Sequence, residues 1–177
     1  MSELTKGIDG REGRRTSDRK SDHVRICLNR DVQARQITSG FGDLNLVHRA
    51  LSDIDLEGVD TSGELLGHRM SVPMVIGSMT GGVDEAVPIN RALAEAAEEL
   101  GVPISVGSMR AAIENGDVAH TFKIVREICT TTMVIANVGA IQLARNGPSY
   151  GVSAVEMLEA DALAVHLNKL QEGVMVG

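Results

Sequence analysis

The densest chemistry in this chain lies near its end. There His166-Leu167-Asn168-Lys169-Leu170-Gln171-Glu172 gathers an imidazole, two amides and a carboxylate. If the segment begins as a strand, residues two apart project to the same side, so His166 and Asn168 would point together toward one face. Gln171 and Glu172 would then follow on the loop beyond. Such a set suits a hydrated Mg²⁺ beside a phosphate, because that ion takes hard oxygen donors, one or two carboxylates, and water. The same spacing also describes a strand end with solvated polar residues and one core histidine. A second cluster, Arg19-Lys20-Ser21-Asp22-His23, sets a guanidinium beside an ammonium, a pair able to neutralise a diphosphate.

Weaker signals lie between these two. Thr80-Gly81-Gly82 offers a hydroxyl and backbone N–H groups that no side chain screens, although plain turn chemistry needs the same residues. Gly-Ser-Met occurs twice, at Gly77-Ser78-Met79 and Gly107-Ser108-Met109, thirty residues apart. Ser78, Ser108 and Asn137 fall at equivalent places in successive units, as residues converging on one ligand would. Arg110 suits an anion, or a surface ion pair. His48, His68 and His120 have no partner at a suggestive spacing.

The elements that must position these groups follow from periodicity. Apolar runs at 73–76, 102–106, 132–138 and 162–167 alternate with helical patterns, the signature of an α/β protein with a parallel sheet. Ile89, Leu93, Ala96, Ala97 and Leu100 share one helical face, with Pro88 in the opening turn and Gly101 as the stop. Val118, Phe122, Val125 and Ile128 define a second helix, and Val152, Val155 and Leu158 a third. Loops after the strands are long and polar; those leading into them are short. Function is therefore expected at the C-terminal strand ends. Four βα units make half of an eight-stranded (β/α)8 barrel. The expected layout is a flexible leader over 1–17 and an N-terminal segment over 18–72, with a helical stretch at 43–51 and a strand or hairpin at 65–70. The first half of a barrel would then fill 73–177.

Composition narrows the function classes. The net charge of −7 repels a nucleic-acid backbone over most of the surface, and with Phe41, Phe122, Tyr150 and no Trp there is no stacking platform for bases. Basic residues nevertheless crowd the first thirty-five positions. No apolar run approaches the ~20 residues that cross a bilayer. Cys27 and Cys129 lack metal or redox spacing, as expected for a reducing, cytoplasmic setting.

Taken in order, Arg19-Lys20-x-x-His23, Met79-Thr80-Gly81-Gly82, Val106-Gly107-Ser108, Asn137-Val138-Gly139-Ala140 and His166-Leu167-Asn168-x-x-Gln171-Glu172 resemble the type 2 isopentenyl diphosphate isomerases. The resemblance implies a TIM barrel, FMN reduced by NADPH, and Mg²⁺. The reaction implied is interconversion of isopentenyl and dimethylallyl diphosphates by an allylic proton shift, in a chain expected to form homo-oligomers when complete. It implies that Arg19, Lys20, Ser108, Met109, Arg110 and Gln171 bind substrate and that Glu172 holds the metal. Ser78, Met79, Thr80, Ser108 and Asn137 would line the flavin, with His23, His166 and Asn168 in support. Met109 stands where many members have Gln. The family chain is about twice as long, so this one is expected to be an N-terminal portion, inactive alone. A non-catalytic remnant or binding module, and a flavin-dependent hydroxy-acid oxidase, are the alternatives.

Overall fold

The computed structural model describes the backbone of residues 6–168 and the side chains of residues 18–168. In chain order the main elements are α1 (Lys6–Asn29), β1 (Gly63–Leu65), β2 (His68–Met70), α2 (Ala86–Leu100), β3 (Ile104–Ser105), α3 (Arg110–Glu114), α4 (His120–Ile128), β4 (Val134–Gly139), α5 (Ala140–Asn146), α6 (Ser149–Leu158) and β5 (Ala162–His166). This is a mixed α/β fold. Strands β3, β4 and β5 pair in parallel in that order, with Ile104 opposite Val134 and Gly139 opposite His166. The run at 73–76 joins the sheet only through a parallel bridge from Ile76 to Ile104. Its expected strand is thus reduced to one contact, and the full set of four strands is not formed among the described residues. Pro73 has no N–H to give a ladder.

A single helix begins at Lys6 and runs through the Arg-Lys pair. It needs no apolar stripe, because local pairs such as Arg25–Asp22 at 2.5 Å and the bond from Asn29 to the Arg25 carbonyl support it. Conversely, 43–51 is not helical; only a 3₁₀ turn forms, at Phe41–Asp43. Leu44, Leu46, Val47 and Leu51 are all exposed. A short helix without a surface to pack on is not stable in water. The hairpin at 65–70 does form, through Leu66 and Gly67, both at positive φ, the geometry of a two-residue turn.

The core sits between the parallel sheet and α2, α4 and α6, around Ile104, Val106, Phe122, Val125, Val134, Val138 and Leu158. Helix α2 packs chiefly on α4. Its buried line is Ala86, Asn90, Ala94 and Ala97, while Leu100 is exposed, so the helix is turned slightly from the leucine-weighted face. Alanines let the two helices approach closely, and Gly101 ends α2 in the left-handed region at φ 63°.

The N-terminal end of the sheet is closed by saturated polar contacts. The Glu98 carboxylate accepts from the hydroxyls of Thr130, Thr131 and Thr132 and from the backbone N–H of Thr131 and Thr132, at 2.7–3.0 Å. Nearby, Asp161 accepts from the Val134 N–H at 2.8 Å and pairs with Arg126 at 3.0 Å. Partial burial works to raise the Glu98 carboxyl, but the Thr132, Thr131 and Thr130 hydrogen bonds prevail and bring it down to about 2. A depressed carboxylate contributes stability that is present above its unfolded value and fades as pH falls toward about 2. Glu98→Gln should therefore flatten the loss of stability between the ordinary glutamate range and that value. At neutral pH it should lower Tm by about 2–4 °C, the effect of losing ~1 kcal/mol after solvent screening. Thermal melts across acid pH check both.

Candidate functional site

At the opposite end, the loops leaving successive strands are stitched into one rim. The Gly107 N–H donates to the Thr80 carbonyl at 3.1 Å, and the Met109 N–H to the Asn137 carbonyl at 2.9 Å. Gly139 lies in register with His166. Thr80, Ser108, Asn137 and His166 therefore occupy one end of the sheet, as the repeat spacing predicts. Close approach demands glycine at two of these places. A Cβ on Gly107 would stand 2.6 Å from the Thr80 carbonyl oxygen. A Cβ on Gly81, at φ 145°, would fall inside the edge of the Phe122 ring.

Lys20 ties α1 to this rim. Its ammonium donates to the Gly81 carbonyl at 2.6 Å and the Ser108 carbonyl at 3.2 Å, and lies 5.3 Å from the centre of the Phe122 ring. Burial first, then the neighbouring Arg19 charge, lowers its pKa to about 8. The pair expected to meet a diphosphate is thus at the rim, but two of the three Lys20 donors are occupied by backbone carbonyls. Arg19 is half-buried beside it, and His23 is exposed on the same helix.

Across the strand ends runs a row of polar side chains. Asn137 Nδ2 meets Ser78 Oγ at 3.2 Å, Ser78 Oγ meets Ser105 Oγ at 2.6 Å, and Ser105 Oγ meets the Ile135 carbonyl at 3.3 Å. Asn137 and Ser105 are buried. Ser78 and Asn137 were candidates from sequence; Ser105 was not, although a serine inside the apolar run at 102–106 is its trace. Sequence reasoning also missed Asn90 and Thr121. The Thr121 hydroxyl accepts the Gly82 N–H at 2.7 Å, and Asn90 Nδ2 donates to the carbonyls of Thr121 at 2.8 Å and Thr80 at 3.4 Å. These two fix the Thr80-Gly81-Gly82 loop. Asn90 sits on the buried face of α2, where an amide needs partners, and that is the signal that could have found it.

Arg110 opens α3 and pairs through Nε with Glu114 at 2.8 Å, its side chain 17% exposed. Tyr150 lies close by: burial, then the Glu114 charge, push its phenol up to about 12 against the pull of Arg110. The Met109 side chain is fully buried in the core. An apolar thioether directly after Ser108 packs inward, and the Met109 backbone N–H serves the rim. Met79, in contrast, is largely exposed. β5 ends at His166, so Asn168 lies beyond the strand and does not share its pleat. Gln171 and Glu172 lie outside the described residues. Among the described residues no group of three or more His, Cys, Asp or Glu could hold a metal ion. No helix among them is long and apolar enough to cross a membrane.

Buried polar atoms at this end lack a partner among the described residues. His166 Nε2 and Tyr150 Oη are buried without a hydrogen bond among the described residues, and Asn137 Oδ1 makes none. Groups like these are met by ligands. A planar heteroaromatic bearing ring N–H and carbonyl groups fits this row of hydroxyls and amides.

These features define a parallel α/β protein with partly satisfied polar groups at the C-terminal strand ends. Residues 13–143 match the model of the FMN-dependent dehydrogenase family, and the chain belongs to that family. It is similar to proteins named isopentenyl-diphosphate delta-isomerase. The relative from Methanococcoides burtonii is 48% identical over 163 residues, covering 90% of this chain and 44% of the relative. Those from Archaeoglobus fulgidus and Methanothermobacter thermautotrophicus are 45% and 44% identical, covering 90% and 91% of this chain and 46% and 44% of the relatives. The chain thus spans somewhat under half the length of the curated relatives it matches.

Lys20→Met keeps the apolar stem and removes the ammonium. Amide hydrogen exchange over residues 18–29 should speed up at least tenfold, while β4 stays protected. The lowered pKa also has a sign. Between about 8 and the ordinary lysine value the unfolded chain holds the proton more tightly, so this group's contribution to stability rises with pH there. Denaturant titrations should find that rise in the wild type and not in Lys20→Met.

Proposed function

We propose that this chain provides the diphosphate side and the flavin floor of an isopentenyl-diphosphate delta-isomerase, a cytoplasmic enzyme of isoprenoid synthesis. The observation that carries this is the Lys20 bridge: one ammonium joins the Arg-Lys helix to Gly81 and Ser108, beside the Ser78–Asn137 row. Cationic and flavin-type groups thereby share one rim. The names of the relatives favour isomerisation over oxidation of a hydroxy acid. In the same reading, β3–β5 and the Ile76 bridge are opening strands of a (β/α)8 barrel, active as a homo-oligomer.

Roles follow from chemistry. Arg19 and the remaining donor of Lys20 would neutralise the diphosphate, with Arg110, Ser108 and Gln171 completing its contacts. Glu172 would hold Mg²⁺ against the same phosphates, and His23, His166 and Asn168 would support the pocket. Ser78, Met79, Thr80, Ser108 and Asn137 would line FMN. When bound and reduced by NADPH, FMN supplies an acid–base group beside an alkene that has no polar handle of its own. The residues described here bind and orient; the Ile135–Ser105–Ser78–Asn137 row holds the floor still, and the loops fixed by Asn90 and Thr121 keep water from the alkene.

The test replaces the matched region of the Methanococcoides burtonii relative with this chain. The chimera should isomerise isopentenyl diphosphate in the presence of FMN, NADPH and Mg²⁺; a folded, flavin-loaded chimera with no turnover would refute the proposal. In the same chimera, Glu172→Gln should lower the Mg²⁺-dependent rate on the order of 100-fold with flavin still bound. Undiminished turnover would remove Glu172 from the metal.

A further inference from the structure

We infer that Ser105 is a positioning residue that sets the orientation of the Asn137 side-chain amide, so that β4 presents a carbonyl oxygen to its ligand and selects a ring N–H. The inference rests on the flavin reading for the ligand, but its geometric core does not.

The reasoning starts at the buried end of the row. The Ile135 carbonyl can only accept, and its two lone pairs are met by the Val106 N–H at 3.0 Å and the Ser105 hydroxyl at 3.3 Å. When the Ser105 hydroxyl donates to that carbonyl its single proton is used, and in the 2.6 Å contact between Ser105 and Ser78 the donor is Ser78. With its own proton spent, Ser78 can only accept from Asn137, so the group 3.2 Å away is the amide NH₂. The carbonyl oxygen of Asn137 is turned the other way, and it makes no hydrogen bond among the described residues. Polarity therefore runs one way, from Asn137 through Ser78 and Ser105 to Ile135. The reverse chain would leave the Ser105–Ile135 bond unmade and would show the ligand an NH₂.

The consequence is selection by hydrogen-bond polarity. A floor offering an acceptor binds a ring that carries an N–H at that edge, as a flavin does in either redox state. It disfavours a ring that offers only lone pairs, because two acceptors would face each other across a partly dry contact. Ser105 touches no ligand in this arrangement. It acts through Ser78, and its hydroxyl decides which face Asn137 shows.

Two measurements on the full 177-residue chain test this. The first needs no ligand. In ¹⁵N-labelled protein one of the two Asn137 Nδ2 protons should exchange slowly, and in Ser105→Ala that protection should be lost, because Ser78 is then free to donate to the Asn137 carbonyl. Ser105→Thr, which keeps a hydroxyl, should retain it. Equal protection in the wild type and Ser105→Ala would overturn the positioning role. The second is a titration with FMN followed by its absorption spectrum. Ser105→Ala should bind about tenfold more weakly than the wild type, with an altered flavin band, and Ser105→Thr should restore both. Unchanged affinity and spectrum would overturn the claim that the orientation matters to the ligand. If the wild type takes up no FMN, the flavin reading fails, and the exchange measurement still decides whether Ser105 orients Asn137.

Discussion

A buried ammonium, that of Lys20, ties the N-terminal helix to the loops at the strand ends. Among the described side chains of helix α1, Ile26 and Leu28 are 43% and 74% exposed, and none belongs to the core. Its docking contact at the rim is Lys20, whose stem lies against Gly82 and whose head is shared by two loop carbonyls and the Phe122 ring. Taking an ammonium out of water is costly, and the lowered pKa records that cost. Two carbonyl dipoles and an aromatic face offset it. Because the carbonyls come from different loops, the same contact that docks the helix also fixes the spacing of the rim.

The two ends of the sheet differ in the way their polar groups are satisfied. At the N-terminal end Glu98 takes five hydrogen bonds, and Asp161 meets both an N–H and a guanidinium. At the C-terminal end the side chains of Ser78, Ser105 and Asn137 satisfy one another only in part, and the buried atoms of His166 and Tyr150 have no partner among the described residues. A protein bears the cost of unmet buried polar groups where something else will meet them. The asymmetry in loop length visible in the sequence is thus matched by an asymmetry in hydrogen bonding.

Periodicity revealed β4, β5, the helices on the sheet and the stop at Gly101, because each depends on a local pattern that tertiary contacts reinforce. It failed where one contact replaced a pattern. The first turns of helix α1 read as a polar leader because their sequence carries no apolar stripe. The run at 73–76 reads as a strand, yet pairing requires a partner in register, and only Ile76 finds one. The buried face of α2 was misjudged because leucines outweigh alanines in any reading of hydrophobicity, whereas close helix packing favours alanine. Most of the rim was legible from repeated tripeptides. Its supports were not: Asn90, Ser105 and Thr121 are polar residues inside apolar elements, and a pattern of exposure hides them.

Two kinds of positioning result, and they suit two kinds of ligand chemistry. Groups on β3 and β4 are held by the strand ladder, so Ser105 and Asn137 can shift only if the sheet shifts. Groups on α1 are held through side-chain contacts such as that of Lys20, with no ladder to fix them. In the proposed function a flat ring meets the rigid set, where a misplacement of a few tenths of an ångström would break several directional bonds at once. The charged, flexible diphosphate meets the tethered set, where attraction falls off slowly with distance and tolerates motion. Directional contacts on the sheet and long-range ones on the helix divide the site by physical need. The Lys20 bridge is the joint between the two.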